Sequence, residues 1–218
     1  MPLAVPGKDM GNSALVRRWA RLAVGAGLAA TMVYTSFFFL PETTPNWLIA
    51  LVVSSFGPLL SAASLGLYQV IAHHRRTVSL QLAVVANVAA GALVTCMLLV
   101  QTAVQTQRGV VKEQAGALWP AFRHVDYGLD VAWDVYIGLG TILFAANAYR
   151  HPLYGRVIGA AGVVLGAALL VLNFASFPNP PDSSGLIDVG PFVGLWYTAL
   201  SLMTLRVSRW LKEEAADA

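Results

Sequence analysis

Long apolar stretches alternate with short polar connections along the chain. Six of the stretches approach the roughly 20 apolar residues that a helix needs to cross a hydrocarbon core about 30 Å thick. They cover residues 22–40, 47–72, 80–105, 127–149, 155–176 and 191–208. The pattern therefore predicts an all-α, polytopic membrane protein, a six-transmembrane-helix bundle within residues 19–210, with an N-terminal tail at 1–18 and a C-terminal tail at 211–218.

Composition supports this interpretation. Only 11% of the residues are charged and 57% are hydrophobic, whereas an ordinary soluble domain is about 25% charged. Six spans leave little chain for a separate soluble module. The single cysteine, Cys96, makes an intrachain disulfide or a CxxC redox pair impossible.

The distribution of basic residues predicts the orientation. Placing the N-terminus in the cytoplasm puts 11 of the 14 Lys and Arg residues on that side, and leaves only Arg108, Lys112 and Arg123 outside. The positive-inside rule then predicts two cytoplasmic termini and an even number of spans. We expect a multi-pass protein of the inner (plasma) membrane, with anionic headgroups at its cytoplasmic face as partners. The excess of basic residues is explained by membrane orientation, which argues against nucleic acid as a partner.

Three aspartates interrupt the fourth apolar stretch at a four-residue repeat. Asp126, Asp130 and Asp134 fall on one side of a helix and descend from the outer surface. If the membrane boundary lies near Tyr127, Asp134 is about 10 Å deeper. A carboxylate at that depth costs a few kcal/mol or more unless protein or water shelters it, so the row predicts a functional site.

Other polar and aromatic side chains should reach a similar depth in the outer half of the bundle. We take as candidate ligand-binding residues the three aspartates together with Gln101, Gln105, Asn173, Trp196 and Tyr197. Amides and aromatic rings suit a pocket for a cation, a proton or a cationic small molecule. The alternative is that Asp134 is a structural tie between helices and binds nothing.

Glycines mark a packing face on the fifth stretch. Gly155, Gly159, Gly162 and Gly166 recur at spacings of four, three and four, which places them on one side of a helix. Small residues let helices approach closely in lipid. We expect this face to pack against the fourth helix, and a homo-oligomer contact through it is the competing interpretation.

Recognisable chemistry is scarce. The sequence has no HExxH motif and no Gly-rich phosphate loop, and none of its lysines lies in a predicted span to form a retinal Schiff base. His73 and His74 precede Arg75 and Arg76 in a turn that we interpret as an interfacial basic connection. We predict no catalytic residue and no cofactor, leave a metal open, and favour a non-enzymatic function over an enzyme. The proline-rich connection at 177–190 is either a lid over an outer cavity or a plain connector.

Two local features add a resemblance. The Gly-Leu-Tyr-Gln run from Gly66 to Gln69 closes the second stretch, and a His-Pro turn at His151 and Pro152 joins the fourth to the fifth. With the helix layout, they make the chain similar to small six-helix bacterial membrane proteins of unknown function. The resemblance implies a membrane location and a six-helix fold, and it implies no functional residue. The leading hypothesis is binding or transport of a cation or small organic molecule, and the alternative is a membrane-embedded assembly subunit without a ligand.

Overall fold

Nearly all of the described chain is helical. The computed structural model describes residues 10–37, 39–41, 43–106, 116 and 119–216, and no strand occurs among them. The helices are α1 (Met10–Ser36), α2 (Asn46–His74), α3 (Val78–Thr106), α4 (Trp119–Ala148), α5 (Gly155–Ser176), α6 (Gly190–Thr204) and α7 (Val207–Ala216), with a short 3-10 helix at Asp182–Ser184. The all-helical prediction is confirmed for this part of the chain.

Four of these helices, α2 to α5, are long and apolar enough to cross a membrane by length and composition. The remaining long helix, α1, carries Arg17, Arg18 and Arg21 in its first half, and α6 is 15 residues long. Both pack on the four: α1 lies along α2, and α6 contacts α1 and α5. Successive helices from α1 to α5 are neighbours. Helix α6 closes the bundle by packing between α1 and α5.

Several helix boundaries differ from those predicted from apolar length. The first helix begins at Met10 and ends at Ser36 instead of covering 22–40, and the fourth begins at Trp119, earlier than predicted. The sixth ends at Thr204, before the predicted 208, and a separate helix, α7, occupies much of the predicted C-terminal tail. In α1 the added turns are amphipathic. Val16 and Ala20 are buried while Arg18 is exposed, because an amphipathic turn can extend a span beyond its continuous apolar run. Residues 1–9, 217 and 218 of the predicted tails lie outside the described residues.

The glycines of α5 bring its backbone against α4. A Cβ on Gly166 would lie 2.8 Å from the Gly138 carbonyl oxygen, and one on Gly159 would collide with the backbone of Tyr149, just after α4. Gly162 faces Ala145 of α4 and also the Trp196 ring of α6. The predicted packing is confirmed for these three. Gly155 instead starts the helix with a φ of 76° and has open space beside it.

Candidate functional site

A buried hydrogen bond joins α4 to α5 in the half of the bundle where the acidic row lies. Asn173 Nδ2 donates to Asp134 Oδ2 at 2.8 Å, and to the Leu169 carbonyl of its own helix at 2.9 Å. Asp134 is 4% exposed and Asn173 is fully buried. The two side chains predicted to share a depth therefore meet directly.

Each of the two side chains keeps one oxygen without a partner. Asp134 Oδ1 and Asn173 Oδ1 are buried and accept no hydrogen bond from the described residues. An amide oxygen can only accept, so it cannot satisfy a carboxylate. Burying polar oxygens without partners costs free energy. The pair is thus suited to receive a positive group, either a proton on the carboxyl or a cation beside it.

The charges of other acids reach this pair. Asp130 lies one helical turn away on α4, and Asp182 and Asp188 approach from the connection between α5 and α6 closely enough for their charges to act on Asp130 and Asp134. Among the described side chains, no Lys or Arg acts on these two acids in the opposite sense. Like charges repel in a partly dry environment, so the cluster favours the approach of a cation.

The connection that carries Asp182 and Asp188 is locally ordered. Asp188 Oδ1 accepts the Gly190 N–H at 2.8 Å where α6 begins, and Asp182 Oδ1 accepts the Ser183 N–H. Gly185 adopts a φ of 77°, in the left-handed region that favours glycine. These contacts order the backbone of the connection around the two loop acids.

An apolar cavity lies near the acidic row. It measures about 270 Å³ and lies between α1, α2, α4 and α6, with Tyr34, Trp133 and Ile137 in its wall, and Asp130, Asp134 and Asn173 do not line it. Trp133 Nε1 is buried there with no hydrogen-bond partner among the described residues. Tyr34 connects the two regions, because the charges of Asp188, Asp134 and Asp130 all act on it.

Three of the predicted site residues lie elsewhere, away from the Asp134–Asn173 pair. Gln101, Gln105 and Asp126 line a separate cavity of about 340 Å³ between the end of α3 and the start of α4, together with Trp119 and Arg123. Asp126 Oδ1 is buried there without a partner. Asp126 therefore belongs to the acidic row by position and to this second cavity by contact.

The two predicted aromatic residues of α6 serve as cross-links. Trp196 Nε1 donates to the Ile158 carbonyl of α5 at 2.8 Å. The Tyr197 hydroxyl accepts from Asn87 Nδ2 at 2.7 Å, and the same amide donates to Ser64 at 2.9 Å. Tyr197 also reaches the wall of the apolar cavity. Within the described part of the chain, neither Trp196 nor Tyr197 forms a hydrogen bond with Asp134 or Asn173.

Sequence reasoning missed several residues of this region. Asp182 and Asp188 were placed on a possible lid and not in the site, and the buried Asn87 and Trp133 were not selected. A polar residue such as Asn87 inside an apolar stretch is a signal that could have been used. The described residues contain no group of three or more His, Cys, Asp or Glu arranged to hold a metal ion.

No family model, curated protein or solved structure matches the chain. The resemblance to small six-helix membrane proteins stays a prediction.

Proposed function

We propose that the chain is a multi-pass protein of the inner (plasma) membrane, with α1 to α6 as six spans and both termini cytoplasmic, and that it binds a cation at Asp134. Asp130 and Asn173 complete the site. One observation carries the proposal: a buried carboxylate and a buried amide each present an unpartnered oxygen inside an apolar bundle.

A purely structural role explains less of this arrangement. An interhelical hydrogen bond in a membrane contributes only about 0.6 to 2 kcal/mol, and a neutral pair could supply it without burying a carboxyl group. The structural role also gives no reason for the charges of Asp130, Asp182 and Asp188 to act on Asp134. A positive ligand would offset the repulsion among them.

The apolar cavity, whose wall contains Trp133, the residue before Asp134 on α4, favours an organic ammonium ion over a bare metal ion. Its positive group would lie beside Asp134, and its apolar part would occupy the cavity by Trp133 and Tyr34. Aromatic faces attract ammonium groups by about 0.5 to 2 kcal/mol. Protons would compete for the same carboxylate, so binding should strengthen as the pH rises.

The test is thermal unfolding of the purified protein in detergent, with Na⁺, K⁺, Mg²⁺, tetramethylammonium and tetrabutylammonium as probes and pH from about 4 to 8. Wild type should be stabilised by an ammonium probe, more at high pH, and Asp134→Asn should lose that stabilisation while remaining folded. Asp126→Asn is the matched control, since Asp126 lines the other cavity. A wild type indifferent to every cation and to pH removes the support for a cation site.

The second candidate is a membrane-embedded interaction subunit in which Asp134 is a tie. The Asp134–Asn173 hydrogen bond favours it. In that case Asp134→Asn, which retains hydrogen-bonding capacity, should be nearly silent, and Asp134→Leu should destabilise the protein strongly. Flux of a bound ammonium probe into proteoliposomes would extend binding to transport.

A further inference from the structure

A third cavity, with a polar wall, lies at the opposite end of the bundle from the acidic site. It measures about 690 Å³ and opens where α2 ends, α3 begins, α4 ends and α5 begins. The side chains that matter in its wall are His74, Arg75, Thr77, Asn147, Arg150 and His151. The proposed function leaves this cavity unused.

The positive charge of the cavity comes from two arginines on different connections. Arg75 follows α2, where its N–H bonds to the Ile71 carbonyl at 3.1 Å, and Arg150 follows α4, where its N–H bonds to the Asn147 carbonyl at 3.3 Å. Both side chains are exposed, and neither makes an ion pair with a carboxylate of the described chain. Two arginines thus line one opening, from backbones that are hydrogen-bonded at helix ends.

The uncharged polar residues in the cavity wall, Thr77, Ser79 and Asn147, are hydrogen-bonded to one another. Thr77 Oγ1 donates to Asn147 Oδ1 at 2.7 Å, and Asn147 Nδ2 donates to Ser79 Oγ at 3.1 Å and to the Leu143 carbonyl at 2.7 Å. Thr77 also accepts the Leu80 N–H at the start of α3. These bonds join α3 to α4 and give the cavity a preorganised base.

His151 forms a neutral part of the wall. Its ring is 2% exposed, and burial, together with the charge of His74, lowers its pKa to about 3, although the Val70 carbonyl acts in the opposite direction. Nδ1 accepts the Leu153 N–H at 3.1 Å, so Nε2 carries the hydrogen. The ring packs against those of His74, at 5.2 Å between centroids, and Trp210 of α7, at 4.8 Å.

We propose that this cavity binds a phosphate group, carried by an anionic phospholipid headgroup or by a free phosphate compound. Arginine is the side chain best suited to phosphate, because its planar group donates two parallel hydrogen bonds to the oxygens. The volume falls in the range of about 300 to 1,000 Å³ found for small-molecule sites, which leaves room for the group that carries the phosphate. The site does not depend on the acidic site, and only its cytoplasmic placement rests on the proposed topology.

The competing explanation is that these arginines only orient the protein, as basic residues near span ends do. Arg76 and Arg156 distinguish the two explanations. Arg76 follows Arg75 in the sequence, and Arg156 lies at the start of α5. Both are exposed, and neither lines the cavity. General attraction to anionic lipid would depend on all four residues alike, whereas a phosphate site depends on Arg75 and Arg150.

The test measures binding of three probes to the full chain in neutral detergent: dihexanoyl phosphatidylglycerol, dihexanoyl phosphatidylcholine and inorganic phosphate. Wild type, Arg75→Gln/Arg150→Gln and Arg76→Gln/Arg156→Gln are compared. Phosphatidylglycerol should bind wild type, and the first double variant should lose at least about tenfold in affinity, since each removes a charged hydrogen-bond donor. The second should stay within about twofold of wild type.

The outcomes separate the sources and decide the proposal. Binding of phosphatidylglycerol but not of inorganic phosphate assigns the site to a lipid headgroup, and binding of both makes phosphate alone sufficient. Absence of binding by either, or equal losses in the two double variants, overturns the proposal. If Arg75→Gln/Arg150→Gln does not fold, the two single substitutions, each with its neighbour Arg76→Gln or Arg156→Gln as control, decide it in the same way.

Discussion

Asn173 donates a 2.8 Å hydrogen bond across the α4–α5 contact to Asp134, and each side chain keeps a second oxygen that no described residue satisfies. The bond fixes which oxygen of the carboxyl group is occupied. The free oxygens remain for a proton or a cation, so the same contact both holds two helices together and leaves the acid available.

The energetic size of this contact can be measured directly. A double-mutant cycle with Asp134→Ala and Asn173→Ala should give a coupling of about 0.6 to 2 kcal/mol in the free energy of unfolding in mixed detergent, the range of interhelical hydrogen bonds in membranes. Asn173→Ala alone should destabilise the protein by about 1 to 3 kcal/mol, since it leaves Asp134 wholly unpartnered. A coupling near zero would show that the bond does not form in solution.

Adding a methyl group to a glycine should change the stability of the protein differently on the glycine face of α5 and at an open position of α1. Gly166→Ala should destabilise the protein by about 1 to 3 kcal/mol, because the added Cβ meets the Gly138 carbonyl and Ile142. Gly25→Ala in α1 is the control: it has no atom within 4 Å of the new Cβ and should be neutral or stabilising by up to about 1 kcal/mol through helix propensity. Thermal stability in one detergent compares the two, and a tolerated Gly166→Ala would contradict the close α4–α5 packing.

The sequence predicts depth along a helix far better than direction around it. Asp134 and Asn173 were expected at a similar depth, and they meet because α4 and α5 are neighbours. Tyr197 was expected at a comparable depth too, but its hydroxyl points to Asn87 on α3. The side of the helix on which a polar residue bonds depends on which helix lies there, and one sequence does not contain that information.

The loop acids show a second limit. Asp182 and Asp188 lie far from Asp134 in sequence, yet their charges act on it. A helical repeat such as Asp126, Asp130 and Asp134 can be recognised from local spacing alone. The approach of a loop depends on how the whole bundle closes, so its acids could not be assigned from the pattern.

The orientation of the bundle is testable with reporter fusions. Fusions after Glu42, Lys112 and Asp182 should report the outer side, and those after Arg76 and Arg150 the cytoplasm, as the 11 to 3 division of basic residues predicts. Glu42 and Lys112 lie outside the described residues. An outer C-terminus, or an odd number of crossings, would contradict six spans. Outer signals from the fusions after Arg76 and Arg150 would place the arginine cavity on the outer side.

The stability of the protein should depend on pH through His151. Its pKa in the folded state is about 3, whereas a histidine in the unfolded chain has a pKa of about 6.5. Between these values the unfolded state binds the proton and the folded state does not. The contribution is therefore fully present above about pH 6.5 and is lost as the pH falls from there toward 3, by at most about 1.4 kcal/mol per pH unit.

The groups around the ring support this direction. His74 and His73 both disfavour a charged His151, and Tyr154 and Trp210 pack against it. Among the groups that the structure describes, the Val70 carbonyl alone favours protonation. In His151→Gln the loss of unfolding free energy between pH 6.5 and 4.5 should be smaller than in wild type. His124 is an exposed histidine at the other end of the bundle, so the control variant His124→Gln should keep the wild-type pH dependence of stability. NMR of the ring gives a second measurement that needs no variant. A His151 ring that becomes protonated near pH 6.5 in the folded protein would contradict the lowered pKa and would show that the cavity wall is charged below that pH. The free energy of unfolding would then not depend on pH through His151.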